Sequence, residues 1–289
     1  MTLDPYDAIA AAWDELQPLE DPDGFALLLC ELIAHYVPTA FDRREAEGSG
    51  ARPLLVDLGC GSGRLLEALA KRNLDLIGVD RSAAMLAKAR ERMSGLVSAP
   101  LLLEQDLTEL DLFGTANIAL CLLDTVNHLC EPGALEAFFE RLGLFVRPGG
   151  CLLFDRVTEE HFTGLADGSP WFDLGEDHAL IWMVDYDFDA GRSRADLTWF
   201  RRLPESPYFR RSRALIEECV IADERLEQLC RHAGFTEVAV LDGELLEDAA
   251  ARPPAADWPP ARCGLRRILH VWRRDEAVRK ENCDASDLG

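Results

Sequence analysis

Two hydrophobic rhythms divide the chain. Over residues 5–37 apolar side chains recur at helical spacing. Tyr6, Ile9, Ala10, Trp13 and Leu16 share one face of "YDAIAAAWDELQ", and a second stripe runs from Gly24 to Val37 and stops at Pro38. The spacing predicts two helices, then an exposed linker over 41–52, "FDRREAEGSGAR". From Pro53 short apolar runs alternate with helical stripes. Strands are predicted over 54–58, 75–80, 100–104, 117–122 and 150–155, and helices over 63–72, 82–93 and 132–146. Repeated strand–helix units imply an α/β fold, a mostly parallel sheet with helices on both faces.

After Asp155 the rhythm changes. "HALIWMVDYDFDAGRSRADLTWFRRL" alternates apolar and polar residues on either side of "DAGR", a hairpin signal with Gly191 near the turn. With a third strand over 211–221 it predicts an antiparallel β insertion. "ADERLEQLCRHAGF" then predicts a helix closed by Gly234. "FTEVAVL" and "LRRILHVWRR" predict two strands returning to the main sheet, separated by the Pro/Ala-rich "EDAAARPPAADWPPARCG". The expected organisation is a helical cap and linker (1–52), an α/β core (53–157), the β insertion (158–221), a completion of the core (222–274) and a disordered tail (275–289).

Composition narrows the function classes. With 289 residues, 48% of them hydrophobic, the chain can bury a large core. Its net charge of −22 disfavours phosphate backbones, so a nucleic-acid partner is not expected. The arginines of "FRRSR" and "ILHVWRR" read as solvated strand faces. There is no apolar run of about 18 residues and no basic-then-apolar leader in "MTLDPYDAIAAAWDEL", so neither a membrane span nor a signal peptide is expected. Nine cysteines occur without a C-x-x-C pair, mostly inside apolar runs such as "IALCLL". They read as buried, reduced thiols of a cytoplasmic protein, with no metal site.

The chemistry concentrates in "LLVDLGCGSGRLLEAL" (54–69). A strand ends at Asp57, turns through Gly59, Gly61 and Gly63, and enters a helix. Such a turn lets a ligand approach backbone N–H groups at a helix N-terminus. It is not the dinucleotide fingerprint, which needs glycine where Arg64 stands, and no G-K-[ST] follows as in a P-loop. A carboxylate at Asp57 opposes a pyrophosphate but suits an ammonium group. "LIGVDRS" ends the next strand with Asp80, placed to bind ribose hydroxyls or to cap the following helix. "LLLEQDL" puts Asp106 beyond the third strand, where it could accept from an exocyclic amine or start a turn.

Taken in order, "VDLGCGSG", "GVD" with "SAAML", "EQDL" and "FVRPGGCLLFD" resemble the motifs of class I S-adenosylmethionine-dependent methyltransferases, in particular a bacterial small-molecule subgroup with a β-rich insertion. The resemblance implies a Rossmann-like seven-stranded sheet whose last strand is antiparallel. It implies that Gly59, Cys60, Gly61 and Gly63 cradle the methionine moiety near Asp57. Asp80 would bind the ribose, Arg81 and Met85 would flank the adenine, and Asp106 with the Leu107 backbone would take its amino group. Leu123 would complete the cofactor set.

Methyl transfer from a sulfonium needs mainly in-line positioning, and a base only where the nucleophile must lose a proton. "CLLDTVNHL" (121–129) lies at the carboxyl end of the fourth strand and resembles the subgroup's D-x-x-N-[YH]-L stretch. Asp124 and Asn127 could shape the transfer pocket and His128 could be a base; a helix cap or helix-start role is the alternative. Trp182, Tyr186 and Trp199 on the inserted strands read as an aromatic substrate lid or as a small core. Tyr6 and Trp13 match a loose N-terminal pattern that covers bound cofactor in relatives. The expected function is methyl transfer to N or O of a small molecule. The rivals are an RNA or protein methyltransferase and a non-catalytic cofactor-binding regulator. A nicotinamide dehydrogenase fails on Arg64 and Asp57.

Overall fold

The central strands are apolar along almost their whole length, as a parallel sheet covered on both faces requires. In the computed structural model, β1 (Leu54–Leu58) and β4 (Ala116–Cys121) are these strands. The structure describes residues 4–17, 19–42, 52–166, 168–246 and 252–276; most of the linker expected over 41–52 and of the tail over 275–289 lies outside the described residues. Around β1 and β4 stand β2 (Asp75–Asp80), β3 (Leu101–Glu104), β5 (Val146–Val157), β10 (Phe235–Asp242) and β11 (Arg267–Arg274). The seven-stranded order is β10-β11-β5-β4-β1-β2-β3, with β11 antiparallel to both neighbours. The Rossmann-like plan therefore holds, antiparallel last strand included.

One face of the sheet is covered by α3 (Pro22–Tyr36), α4 (Arg64–Leu69) and α5 (Ala83–Arg92), whose Phe25, Leu29, Leu66 and Leu86 pack on Leu120, Leu153 and Val271. The other carries α6 (Ala134–Phe145) and α8 (Asp223–His232), with Phe138, Phe139 and Leu229 against Phe154 and Trp272. Gly234 follows α8 at φ +80°, as a C′ glycine should. The Pro/Ala-rich segment is tied down where described: Trp258 is buried and its indole N–H donates to the Asp242 carbonyl at 2.8 Å. No described helix is long and apolar enough to cross a membrane.

The insertion is a second sheet of four antiparallel strands in the order β6 (Trp171–Leu174), β7 (His178–Asp187), β8 (Arg192–Arg202) and β9 (Phe209–Cys219). The hairpin and third strand fall where alternation put them. The edge strand β6 and the short helix α7 (Glu159–Leu165) were not legible; both are a few residues long.

The first predicted helix is corrected. It breaks at residues 10–12 into α1 (Pro5–Ile9) and α2 (Trp13–Leu16). The break lets one short segment serve two anchors, Asp7 on α1 reaching the start of α5 and Asp14 on α2 reaching the glycine turn. The inner face of the inserted sheet (Leu180, Leu197, Trp199, Ala214, Ile216) packs on Ile9 and Ala12. The layers thus run from inserted sheet to N-terminal helices to the glycine turn.

Candidate active site

The carboxyl ends of β4, β1, β2 and β3 lie side by side, at the point where successive connections leave β1 in opposite directions. The glycine turn is fastened there by backbone: Gly59 and Cys60 donate to the Val79 carbonyl at 2.8 and 3.0 Å. Gly59, Gly61 and Gly63 have φ of +79°, +53° and +77°, which only glycine adopts without strain. A Cβ on Gly59 would stand 2.5 Å from Thr125, so this glycine also allows the turn after β4 to pack on the loop.

Asp80 joins the two motifs. Its carboxylate accepts from the Gly61 N–H at 2.8 Å and from the Ser82 N–H at 2.8 Å. The helix cap is Ser82, whose hydroxyl accepts from the Met85 N–H at 3.1 Å, so capping is not what Asp80 does. Asp57 is buried, and burial with Asp80 nearby pushes its carboxyl up to about 7. Met85 is buried in the first turn of α5. Asp106 stands exposed at the rim, accepting from the N–H and hydroxyl of Thr108, with Leu107 buried beside it.

The N-terminal segment closes over this edge. Asp4 pairs with Arg81 at 2.5 Å. Asp7 accepts from the Ser82 hydroxyl at 2.7 Å and the Ala84 N–H at 3.1 Å. Asp14 accepts from the Ser62 hydroxyl at 2.5 Å and pairs with Arg92. Arg64, the residue that breaks the dinucleotide fingerprint, donates to the Gln17 carbonyl at 2.7 Å and the Asp14 carbonyl at 3.3 Å. The Trp13 indole nitrogen lies 3.8 Å from where a Gly61 Cβ would be.

Beside this edge, the turn after β4 gathers a second constellation. Leu123 and Asp124 take left-handed φ of +56° and +58°. Their N–H groups donate to the fully buried Asp155 at 2.5 and 3.2 Å. Arg267, also buried, pairs with Asp155 and reaches Asp124 at 3.3 Å. Asp124 makes no side-chain cap bond to the single helical turn Thr125–His128. Burial alone would push its carboxyl up, but Arg267 foremost, with His161, outweighs it and holds the carboxyl below the usual range.

His128 bridges two elements. Its Nδ1 faces the Glu217 carbonyl at 3.1 Å and its Nε2 the Tyr6 hydroxyl at 3.0 Å. A carbonyl only accepts, so Nδ1 carries the proton and Nε2 accepts from Tyr6. Burial outweighs Asp124 and lowers the imidazole below its ordinary value, while burial beside Glu218 and Asp124 pushes the Tyr6 phenol well up. Both groups are neutral. Asn127 is fully buried and spent on backbone, donating to the Val157 and Cys219 carbonyls at 3.0 and 2.9 Å and accepting from the Val157 N–H at 2.9 Å.

The aromatic residues divide. Trp182, like Tyr6 and Trp13, packs on the small core that the inserted sheet forms with Ile9 and Ala12, and its ring meets Trp171 edge-on. Trp199 is buried against the His178 ring, and Tyr186 is stacked on Phe162. Sequence reasoning missed Asp155, Arg267 and Glu218. Asp155 is the last residue of "FVRPGGCLLFD", the signal that could have found it, and the other two carry no local pattern.

Residues 55–150 match the family described as "Methyltransferase domain". The chain carries a class I S-adenosylmethionine-dependent methyltransferase domain. It is 34% identical to the ubiquinone biosynthesis O-methyltransferase of Methylococcus capsulatus, over 48% of this chain and 56% of that one. In fold it is similar to a methyltransferase from Clostridium acetobutylicum (TM-score 0.75, 17% identical, 93% of this chain and 99% of that one). It is likewise similar to the sugar N-methyltransferase KedS8 from Streptoalloteichus (TM-score 0.68, 18% identical, 92% and 93%). The residues present fit the domain's cofactor. Gly61 leaves open the space a Cβ would fill, with no other atom nearer than the Trp13 indole nitrogen at 3.8 Å, and the neighbouring Asp57 and Asp80 offer negative charge to a cationic ligand.

Proposed function

We propose that the chain transfers a methyl group from S-adenosylmethionine to N or O of a small-molecule acceptor. The sulfonium supplies a methyl group already activated for displacement. The protein's part is to hold the two reactants in line and exclude water. Gly59, Cys60, Gly61 and Gly63 with Asp57 hold the methionine moiety, and Asp80 the ribose. Arg81, Met85, Leu107, Leu123 and Asp106 surround the adenine. The acceptor sits against Asp124 and the Tyr6–His128 pair, roofed by Trp13 and Trp182. Asn127 positions that turn, and Trp199 and Tyr186 back the lid. In this reading residues 53–157 and 222–274 form the cofactor-binding core and residues 158–221 the substrate lid, and reduced thiols suit a cytoplasmic enzyme.

The observation that carries this reading is the closure of the site by residues 4–17 and the inserted sheet, which favours a small acceptor over a polymer. A net charge of −22 argues the same way against nucleic acid. The relatives named above act, by their names, at oxygen in one case and nitrogen in the other. Calorimetry tests it. The protein should bind S-adenosylhomocysteine, and Asp80→Ala should weaken binding roughly tenfold or more, the loss of hydrogen bonds to a charged acceptor. Absence of binding by the wild type would overturn the reading.

A further inference from the structure

Glu218, on β9, lies beside Asp124 and Tyr6 and has no part in the cofactor motifs. Its carboxyl meets that of Asp124, delivered from the turn after β4. Its Oε1 is buried with no hydrogen-bond donor among the described residues. Two carboxylates cannot share so enclosed a place with both ionised. One must hold a proton, and the surroundings say which. Asp124 faces Arg267 and His161, which favour its anion. Glu218 faces Asp124, with Tyr6 and the Cys219 and Cys130 thiols around it and Arg267 as the opposing cation; burial and Asp124 push it up to about 9. With Arg267 neutralising Asp155, the group keeps one negative charge.

We propose that Asp124 and Glu218 share a single proton, held by Glu218, and that their one negative charge selects an amine as the methyl acceptor. This rests on the reading of the chain as a small-molecule methyltransferase. When a neutral amine attacks, its lone pair forms the C–N bond, and the C–S bond breaks with its electron pair going to sulfur. The positive charge moves from sulfur to nitrogen. A fixed negative charge beside the nitrogen stabilises what develops there. The acceptor enters as its free base, having left its proton in bulk water, and the proton that the methylated ammonium carries goes to water after release. An alkoxide or phenoxide acceptor would bring its own negative charge against Asp124 and be disfavoured. His128 does not supply this function, because its Nε2 already accepts from Tyr6.

The assignment makes the two carboxyls unequal under amide substitution. Gln at 218 can donate to Asp124 as the protonated acid does; Asn at 124 removes the charge. The test uses the full chain and a panel of primary and secondary amines, each beside the alcohol of the same skeleton, with S-adenosylhomocysteine release as readout. Turnover is expected with amines and not with their alcohols. Asp124→Asn and Glu218→Ala should each lower kcat/KM by a hundredfold or more, and Glu218→Gln should recover at least tenfold over Glu218→Ala. Infrared spectroscopy of the ligand-free protein at pH 7.5, on an Asp57→Asn background that removes the other raised carboxyl, should show a protonated-carboxyl band that adding Glu218→Gln removes and adding Glu217→Gln leaves. Turnover of alcohols in preference to amines, a silent panel while S-adenosylhomocysteine still binds, Gln no better than Ala, or absence of the band would each overturn the proposal. Loss of S-adenosylhomocysteine binding by the wild type would instead overturn the methyltransferase reading beneath it.

Discussion

Asp57 and Asp80 end adjacent strands, and their proximity in a buried setting leaves Asp57 half-protonated near neutral pH. Burial is the larger cause and the Asp80 charge the second. An ammonium-bearing ligand favours the ionised carboxylate. Below pH 7 the proton must leave first, so affinity for S-adenosylhomocysteine should rise with pH, by up to about tenfold per unit, and level off above 7. Asp57→Asn should flatten the profile, as measured by calorimetry from pH 5.5 to 8. The same linkage runs opposite in stability. The folded carboxyl keeps its proton to about 7, the unfolded one only to about 4, so Asp57 makes the ligand-free fold lose stability as pH rises between them.

Gly63 begins α4 at φ +77°, and a Cβ there would lie 2.9 Å from that of Ala89. Left-handed backbone costs a non-glycine residue about 1–2 kcal/mol before any clash. Gly63→Ala should therefore lower stability by about 2 kcal/mol in urea unfolding. Gly95, which has nothing within 4 Å of its Cβ position, is the control: Gly95→Ala should change stability by less than about 0.5 kcal/mol.

Arg267 and Asp155 are both almost wholly buried, and Asp155 also accepts the Leu123 and Asp124 N–H groups. Removing one member leaves the other as an uncompensated charge, so Arg267→Met should cost about 3–5 kcal/mol. Asp155→Asn should cost less, since the amide oxygen can still accept one N–H. The double variant should fall short of the sum of the two losses, and a double-mutant cycle in urea reads the difference.

The sheet was legible because its strands are short, apolar and separated by glycine turns, and Asp57, Asp80 and the three glycines sit on those strand ends in chain order. The acceptor side was not, because it is assembled from distant segments. Tyr6 meets His128 across 122 residues, and Arg267 meets Asp124 across 143. Neither pair leaves a periodic trace. The break at 10–12 was hidden for the reverse reason. "AIAAAW" has helical propensity throughout, and what interrupts it is the tertiary anchoring of Asp7 and Asp14.

Asp14 is the main fastening of α2 to the glycine turn. It meets Ser62 and Arg92 through its carboxylate, and Arg64 through its carbonyl. Residues 4–17 lie against the glycine turn, so exit of a ligand from the cradle is expected to require them to move aside. Asp14→Ala removes the carboxylate contacts but none of the residues proposed to touch the ligand, so it should act on the exit rate. Stopped-flow measurement should show S-adenosylhomocysteine dissociating several-fold faster from Asp14→Ala, on the order of the tenfold that 1.4 kcal/mol commands. Limited proteolysis within residues 4–20 should also quicken in the variant and slow again on adding ligand. An unchanged dissociation rate would mean that α2 rests on the loop without gating it.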